Sequence, residues 1–417
     1  MDTKLADKLA DTVMQHCETL AEYTQTAGIM DRRYLTVEHK QANQQIFDWA
    51  KQSGLLSWQD QAGNQWVRLP ANKVTDQRVI LGSHTDTVPN GGKYDGILGV
   101  VAPLVLMKYF ADNDISFEFN LDLVGFGDEE GTRFGATLLG SSAITGKWNS
   151  QWHALTDENG ISLAQAMRDF SLDISKVAEA KINSNDVLAY VELHIEQGPV
   201  LEERGLAISA VNGISGARRF AISIEGKAGH AGTVPMRSRQ DPLVIASEWI
   251  AELNRSAKLT TDLDHLVLAT VGKLEVLPGG VNVIPGQVNL SLDVRSLNDD
   301  ARDLLLDVSF SQLHTLADRD GLNVTIEETH TAQAVYCDPK LTHAMAQVVG
   351  GLTGTPLTLT SGAGHDAMVF ADFVATTMLF VRCKEGISHN PRESVNVEDV
   401  AISLIALVNF INEFKIN

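Results

Sequence analysis

Residues 82–99 gather His84, Asp86 and Asp95 on a stretch too rich in glycine to be helical. Three later stretches offer donors of the same kind. Asp128-Glu129-Glu130 is flanked by Gly127 and Gly131, His194 stands near Glu192, Glu196 and Gln197, and His389 lies two residues before Pro391. Taken singly, 127–131 reads as a solvated acidic turn and His194 as a core histidine. Taken together they are nitrogen and hard-oxygen donors without a thiolate, a set that suits a catalytic zinc, manganese, cobalt or nickel better than a structural zinc. His84, Asp95, Glu130, His194 and His389 are more ligands than one tetrahedral ion takes, whereas two ions sharing a carboxylate would use all five. Paired ions ~3.5–4 Å apart polarise a carbonyl and acidify water. Glu129, beside Glu130, is then a carboxylate able to take a proton from water. Asp86, two residues from His84, is suited to orient its imidazole as an acceptor. Asp128 has no role in this set and is expected to face solvent.

These residues need elements that bring distant segments to one place. Arg78–Leu81 reads as the end of a buried strand, and 99–110 as a helix with Pro103 in an early turn. The alternating stretch 117–126 is a strand that delivers the acidic triplet at its end. Helices are expected at 4–25, 36–53, 135–145, 161–170, 340–351 and 398–415, with further strands at 66–69 and 377–382. Donors gathered where strands hand over to helices are placed as the active sites of open α/β sheets usually are. From about 212 the texture changes. A strand (218–225), a glycine-rich loop (226–232), a helix (241–253), strands at 266–272 and 287–295, a helix (299–317) and a strand (323–327) give the order βαββαβ of a ferredoxin-like unit. The expected organisation is a catalytic domain made of 1–211 and 329–417, interrupted by an inserted domain, 212–328.

Composition excludes several classes. A formal charge of −20 over 417 residues, with no segregated basic run, argues against nucleic acid. Cys17, Cys337 and Cys383 are widely spaced and form no disulfide framework. No apolar run approaches the ~20 residues of a membrane span. The charged N-terminal stretch lacks a signal-peptide core, so the protein is expected to be cytoplasmic. A G-x-S-x-G elbow, a P-loop and a complete G-x-G-x-x-G are all missing from the sequence.

Six motifs in order along the chain carry a resemblance. They are Gly82-Ser-His-Thr-Asp-Thr-Val-Pro-Asn-Gly-Gly-Lys-Tyr-Asp-Gly96, Asp128-Glu-Glu-Gly-Thr-Arg-Phe134, Leu193-His-Ile-Glu-Gln-Gly-Pro199, Gly229-His-Ala-Gly-Thr-Val-Pro-Met236, Gly364-His-Asp-Ala367 and Ser388-His-Asn-Pro391. The chain resembles the di-metal aminoacylase/carboxypeptidase hydrolases, in the branch of N-carbamoyl-L-amino-acid hydrolases, β-ureidopropionases and allantoate amidohydrolases. Histidine at 194 points to that branch, because peptide-cleaving relatives generally carry a carboxylate there. The resemblance implies an α/β fold, a mixed-sheet hydrolase domain with an inserted ferredoxin-like domain that serves as lid and homodimer contact. It implies two divalent ions, one on His84, Asp95 and His194, the other on Asp95, Glu130 and His389, with Glu129 as general base. It implies substrate contacts from Gln197, Arg218, His230, Asn282 and Arg295, with His230 supplied by the partner subunit and acting on the oxyanion. The reaction implied is hydrolysis of the carbamoyl C–N bond of a ureido acid, allantoate or an N-carbamoyl-L-amino acid, with allantoate slightly favoured by the Arg218-Arg219 tandem. An N-acyl-amino-acid deacylase or dipeptidase, and an inactive homologue acting as a binding protein, are the competing expectations.

Overall fold

Apolar spacing sets the first helices. In the computed structural model, which describes residues 1–262 and 266–413, α1 (Thr3–Ala21) buries Ala6, Ala10, Val13, Cys17 and Leu20 along one face. Asp2 caps it by accepting the Leu5 N–H at 2.8 Å. Next come α2 (Val37–Gln52), the hairpin β1 (Leu56–Gln59) and β2 (Gln65–Leu69), and then β3 (Arg78–His84), α3 (Ile97–Asp112) and β4 (Asn120–Phe126). The chain continues through α4 (Leu139–Thr145), α5 (Leu163–Asp169), β5 (Val187–Ile195), α6 (Val200–Arg204) and β6 (Ile208–Ile214).

Four expectations are corrected in this first stretch: α1 ends at Ala21 rather than 25, β4 begins at Asn120 rather than 117, and of two helices one starts earlier and one later than expected. Helix α3 starts at Ile97 rather than Gly99, so Pro103 lies inside it, where the ring removes one backbone hydrogen bond. Helix α4 starts at Leu139 rather than 135, because Gly131, Gly135 and Leu138 all adopt positive φ and keep the preceding residues in turns.

The chain divides into two compact units, Met1–Asn212 with Cys337–Asn417, and Gly213–Tyr336. The second contains β7 (Gly216–Glu225), β8 (Gly229–His230), α7 (Pro242–Asp262), β9 (Val267–Thr270), β10 (Leu274–Leu277), β11 (Val283–Ile284), β12 (Gln287–Ser296), α8 (Asp299–Asp320), β13 (Asn323–Ala332) and β14 (Val335–Tyr336). Its sheet runs β10-β12-β7-β13, with β9 pairing further along β12. This is a βαββαβ arrangement whose second strand is broken between Thr270 and Leu274, where the Lys273 N–H turns to the Ser291 hydroxyl. The unit runs past the expected 328 because β13 continues to Ala332. Its core joins Phe220, Ile222, Ile224, Leu290, Leu292 and Val294 of the sheet to Trp249, Leu305 and Leu313 of the helices.

The chain then returns to the first unit with α9 (Pro339–Thr353), β15 (Thr358–Ser361), α10 (Ala367–Ala371), β16 (Thr376–Val381) and α11 (Val397–Glu413). Residues 414–415 of the expected closing helix lie outside the described residues. The strands of this unit are ordered β1-β2-β4-β3-β5-β16-β6, with β15 also on β6. Within it β4, β3, β5 and β16 are mutually parallel. Their carboxyl ends therefore share one edge, and a large apolar core under α1, α3, α9 and α11 holds them there.

Candidate metal centre

Each of the four parallel strands ends in one of the chemically distinctive stretches. β3 ends on His84, β4 runs into Gly127-Asp128-Glu129-Glu130, β5 carries His194, and β16 leads to the loop with His389. Along β5, Val191, Leu193 and Ile195 enter the main core, so Tyr190, Glu192 and His194 point to the opposite face. That places His194 against the loop of Asp95. Gly96 keeps the space open: a Cβ there would lie 2.4 Å from Nε2 of His84.

The five residues singled out as ligands come together. Asp95 Oδ1 lies 3.2 Å from His194 Nε2 and 3.7 Å from His84 Nε2. Its Oδ2 lies 3.1 Å from His389 Nε2, which is 3.3 Å from Glu130 Oε1. Within these clusters His84, Asp95 and His194 form one group able to hold a cation, and Asp95, Glu130 and His389 a second. The first is buried, whereas the His389 side chain is 50% exposed, so the second opens to solvent.

The imidazoles are oriented for ligation. His84 Nδ1 lies 3.0 Å from the Asp86 carbonyl, and His194 Nδ1 lies 2.9 Å from the Ile195 carbonyl. Nδ1 is the donor in each case, which turns Nε2, the atom left for a cation, toward Asp95. His194 Nε2 is buried and, although 3.2 Å from Asp95 Oδ1, makes no hydrogen bond of good geometry among the described residues, as expected of an atom that shares a cation with that carboxylate. The expectation for Asp86 is thereby refined. Its backbone carbonyl is the closer partner of His84, the carboxylate standing 3.4 Å away. The carboxylate oxygens instead accept the N–H groups of Glu129 and Glu130 at 3.0 and 3.2 Å, fixing the acidic loop beside the histidines.

Electrostatics point the same way. Asp86, Asp95, Asp128, Glu129 and Glu192 are all buried around this point, as is Asp366. So many acids in one low-dielectric place need positive charge. Burial pushes Glu129 well above the ordinary carboxylate range; His84 opposes this, and Glu130, Asp366 and Asp86 reinforce it. Asp95 shows the reverse outcome: burial would raise it, but His194, His389 and His84 hold it well below the usual range. Hydrogen bonds to Asp95 and Glu130 push His389 up to about 10. Asp128 does not face solvent as expected. It is buried, and its Oδ1 accepts the Gly131 N–H at 3.2 Å, closing the turn that presents Glu129 and Glu130.

Sequence reasoning left several contributors without a role. His365, within the Gly364-His-Asp-Ala367 motif, packs its ring edge-on to His194 at 4.4 Å and is bonded to the Ser361 hydroxyl at 2.7 Å. Glu192 accepts from Ser83, Tyr190 and the Ala367 N–H, tying β3, β5 and α10 together behind the histidines. Glu196 faces away and caps α6 through the N–H groups of Val200 and Leu201. Gln197, by contrast, is one of the expected substrate contacts; it adopts positive φ and donates to Asp95 Oδ2 and Ser388 Oγ, both at 3.1 Å.

The remaining expected residues belong to the second unit. His230 is exposed on β8, which pairs with β11, and Ala231 N–H bonds to the Asn282 carbonyl at 2.9 Å, so His230 and Asn282 are neighbours. His230 Nδ1 accepts the Gly232 N–H at 3.1 Å, which leaves the proton on Nε2 as an outward donor. Arg218 and Arg295 are not brought together. Arg218 lies on the helix-covered face of the sheet, engaged by Asp303 of α8 and Glu328. Strand alternation puts Arg219 on the face of Arg295 instead, and both guanidiniums bond to Asp293.

A sequence model described as peptidase family M20/M25/M40 matches residues 80–413. The chain belongs to peptidase family M20/M25/M40. It is 35% identical to an allantoate deiminase of Arabidopsis thaliana over 97% of this chain and 82% of that one. It is equally 35% identical to an N-carbamoyl-L-amino acid amidohydrolase of Geobacillus stearothermophilus, over 91% of each chain. The crystal structure of a hydantoinase/carbamoylase family amidase from Burkholderia multivorans superposes with a TM-score of 0.89 at 30% identity, covering 99% of this chain and 97% of the other. This M20-family chain is a metal-dependent hydrolase of C–N bonds other than peptide bonds. Among its described residues no helix is long and apolar enough to cross a membrane.

Proposed function

We propose that the protein hydrolyses the carbamoyl C–N bond of a ureido acid, allantoate or an N-carbamoyl-L-amino acid, using two divalent ions. The observation that carries this reading is the division of Asp95 between two donor groups, Oδ1 toward His84 and His194 and Oδ2 toward His389. The names of the relatives, allantoate deiminase and N-carbamoyl-L-amino acid amidohydrolase, support the substrate class.

The donor set fits zinc, manganese, cobalt or nickel. Such ions, when bound, polarise the carbonyl and lower the pKa of water. His84, Asp95 and His194 would hold one, and Asp95, Glu130 and His389 the other. The chain does the rest. Glu129, buried and next to Glu130, takes a proton from water and delivers it to the departing amine nitrogen. Gln197 holds Asp95 in register from the neighbouring strand end. His230 offers its Nε2–H to the oxygen that gains charge, and Asn282 sits beside it as a second polar contact. Arg295 and its face-mate Arg219 grip the substrate carboxylate. Water adds to the carbonyl carbon, the C–N bond breaks, and the carbamate released decomposes to ammonia and carbon dioxide. The second unit is the lid and the homodimer contact, with His230 acting in the partner's site.

Ammonia release from allantoate, N-carbamoyl-L-amino acids and N-carbamoyl-β-alanine, after chelation and re-addition of manganese, zinc or cobalt, tests the reading. Metal-dependent turnover of at least one ureido acid is expected. Activity confined to N-acyl amino acids or dipeptides would replace it with a deacylase or peptidase.

A further inference from the structure

Behind Asp95 stands a buried carboxylate with no place in the ligand set. Oε1 of Glu393 accepts the backbone N–H groups of Tyr94 and Asp95, at 2.9 and 3.0 Å. Its Oε2 accepts the Ser388 hydroxyl at 3.0 Å, and that hydroxyl also lies 3.3 Å from Asp95 Oδ2. The side chain is 5% exposed. Space for it exists because residue 92 is glycine: a Cβ there would fall 2.1 Å from the Glu393 carboxylate carbon.

We propose that Glu393 is a positioning residue that clamps the Asp95 loop to the His389 loop and thereby builds the solvent-facing ion site of Asp95, Glu130 and His389. His84 and His194 reach their places on β3 and β5, whose registers are set by the sheet. His389 has no such support. It lies at positive φ on a loop, half exposed, and Glu393 is four residues along that loop. One side chain thus fixes both the backbone of the shared carboxylate and the segment that carries its most loosely held partner. The buried group of His84, Asp95 and His194 shares Asp95 but keeps both of its histidines on the sheet, so it is expected to hold its ion when the clamp is cut. This inference rests on the two-ion reading above.

The test is metal content after loading the full-length protein with cobalt or zinc and removing free ion, read by elemental analysis and, for cobalt, by the visible spectrum. Wild type is expected to keep two equivalents, Glu393→Ala one, and Glu393→Gln two. The amide oxygen can still accept both N–H groups, and its NH₂ can donate to Ser388. Gly92→Ala, which drives the carboxylate from its seat without touching a ligand, is expected to match Glu393→Ala, and it serves if the latter fails to fold. Retention of two equivalents in both Glu393→Ala and Gly92→Ala, or loss of both ions together, would overturn the proposal. A wild type that never holds two equivalents would instead remove the two-ion reading beneath it.

Discussion

Oδ2 of Asp95 stands 3.1 Å from Nε2 of His389, while the other oxygen of the same carboxylate faces His194. One short side chain therefore belongs to two donor groups at once. Asp95→Ala is expected to abolish binding of both ions, whereas His389→Ala should spare the buried one. The loss of activity in Asp95→Ala should exceed the roughly 10–100-fold that removal of an outer-sphere partner costs. Isothermal titration with zinc distinguishes the two variants, and an Asp95→Ala protein that still binds one ion tightly would show that Asp95 is not shared.

Glu129 sits one residue from a ligand but belongs to neither of the two groups centred on Asp95. Its burial and its acidic neighbours raise its affinity for a proton against the opposing His84, which suits a carboxylate that accepts one and returns it. Glu129→Gln keeps the shape and the backbone bond to Asp86 but cannot shuttle. Turnover should fall by roughly 10²–10⁴-fold with ion stoichiometry unchanged. Normal turnover in Glu129→Gln would take this residue out of the chemistry.

The two arginines of the tandem should part company. Arg218 is held on the inner face by Glu328 and Asp303, so Arg218→Gln should lower the melting temperature and leave KM alone. Arg219 shares the outer face with Arg295, so Arg219→Gln should raise KM for a ureido acid. A charged hydrogen bond of about 1.5–3 kcal/mol corresponds to roughly 10–100-fold. Arg295→Gln is the control. If it raises KM and Arg219→Gln does not, the face-mate assignment fails while the carboxylate contact survives.

The opposite facing of the two arginines is legible in the amino-acid pattern. Phe220, Ile222 and Ile224 alternate along β7, and extending the alternation back two residues puts Arg218 inside and Arg219 outside. Taking the tandem as one unit hides it. The donor residues are legible for a different reason: they cluster in glycine-rich segments at strand ends, and parallel strands bring such ends together. The facing of Glu192 and His194 is legible only as parity: Tyr190, Glu192 and His194 alternate with Val191, Leu193 and Ile195, but β5 is buried on both faces, so the pattern does not tell which face meets the ligand loops. Glu393 and Arg32 are invisible for want of any local signal. Buried Arg32 donates to the carbonyls of Thr85, Leu20 and Tyr23, joining α1 to the His84 loop, and every one of those bonds is long-range or lies in an irregular segment.

His39 gives the protein an acid-sensitive element apart from the metal centre. It is fully buried at the start of α2, stacks on Phe170 at 5.0 Å, and accepts the Leu35 N–H on Nδ1 at 3.1 Å. Burial, helped by Arg32 and Arg133, pushes it down to about 3. An unfolded chain takes up that proton near pH 6.5, and the folded one does not until near 3. The contribution of neutral His39 is therefore complete above 6.5 and is lost progressively as pH falls toward 3. At about 1.4 kcal/mol per pH unit, the loss between pH 6.5 and 4.5 is about 2–3 kcal/mol. Glutamine at 39 sits at the third position of a helix capped by Thr36, where its side chain can reach back as an acceptor without titrating. Melting curves of wild type and His39→Gln, both in excess chelator to remove ion linkage, should diverge on acidification, the variant losing less between pH 7 and 4.5. Parallel loss in the two proteins would mean that the acid sensitivity arises elsewhere.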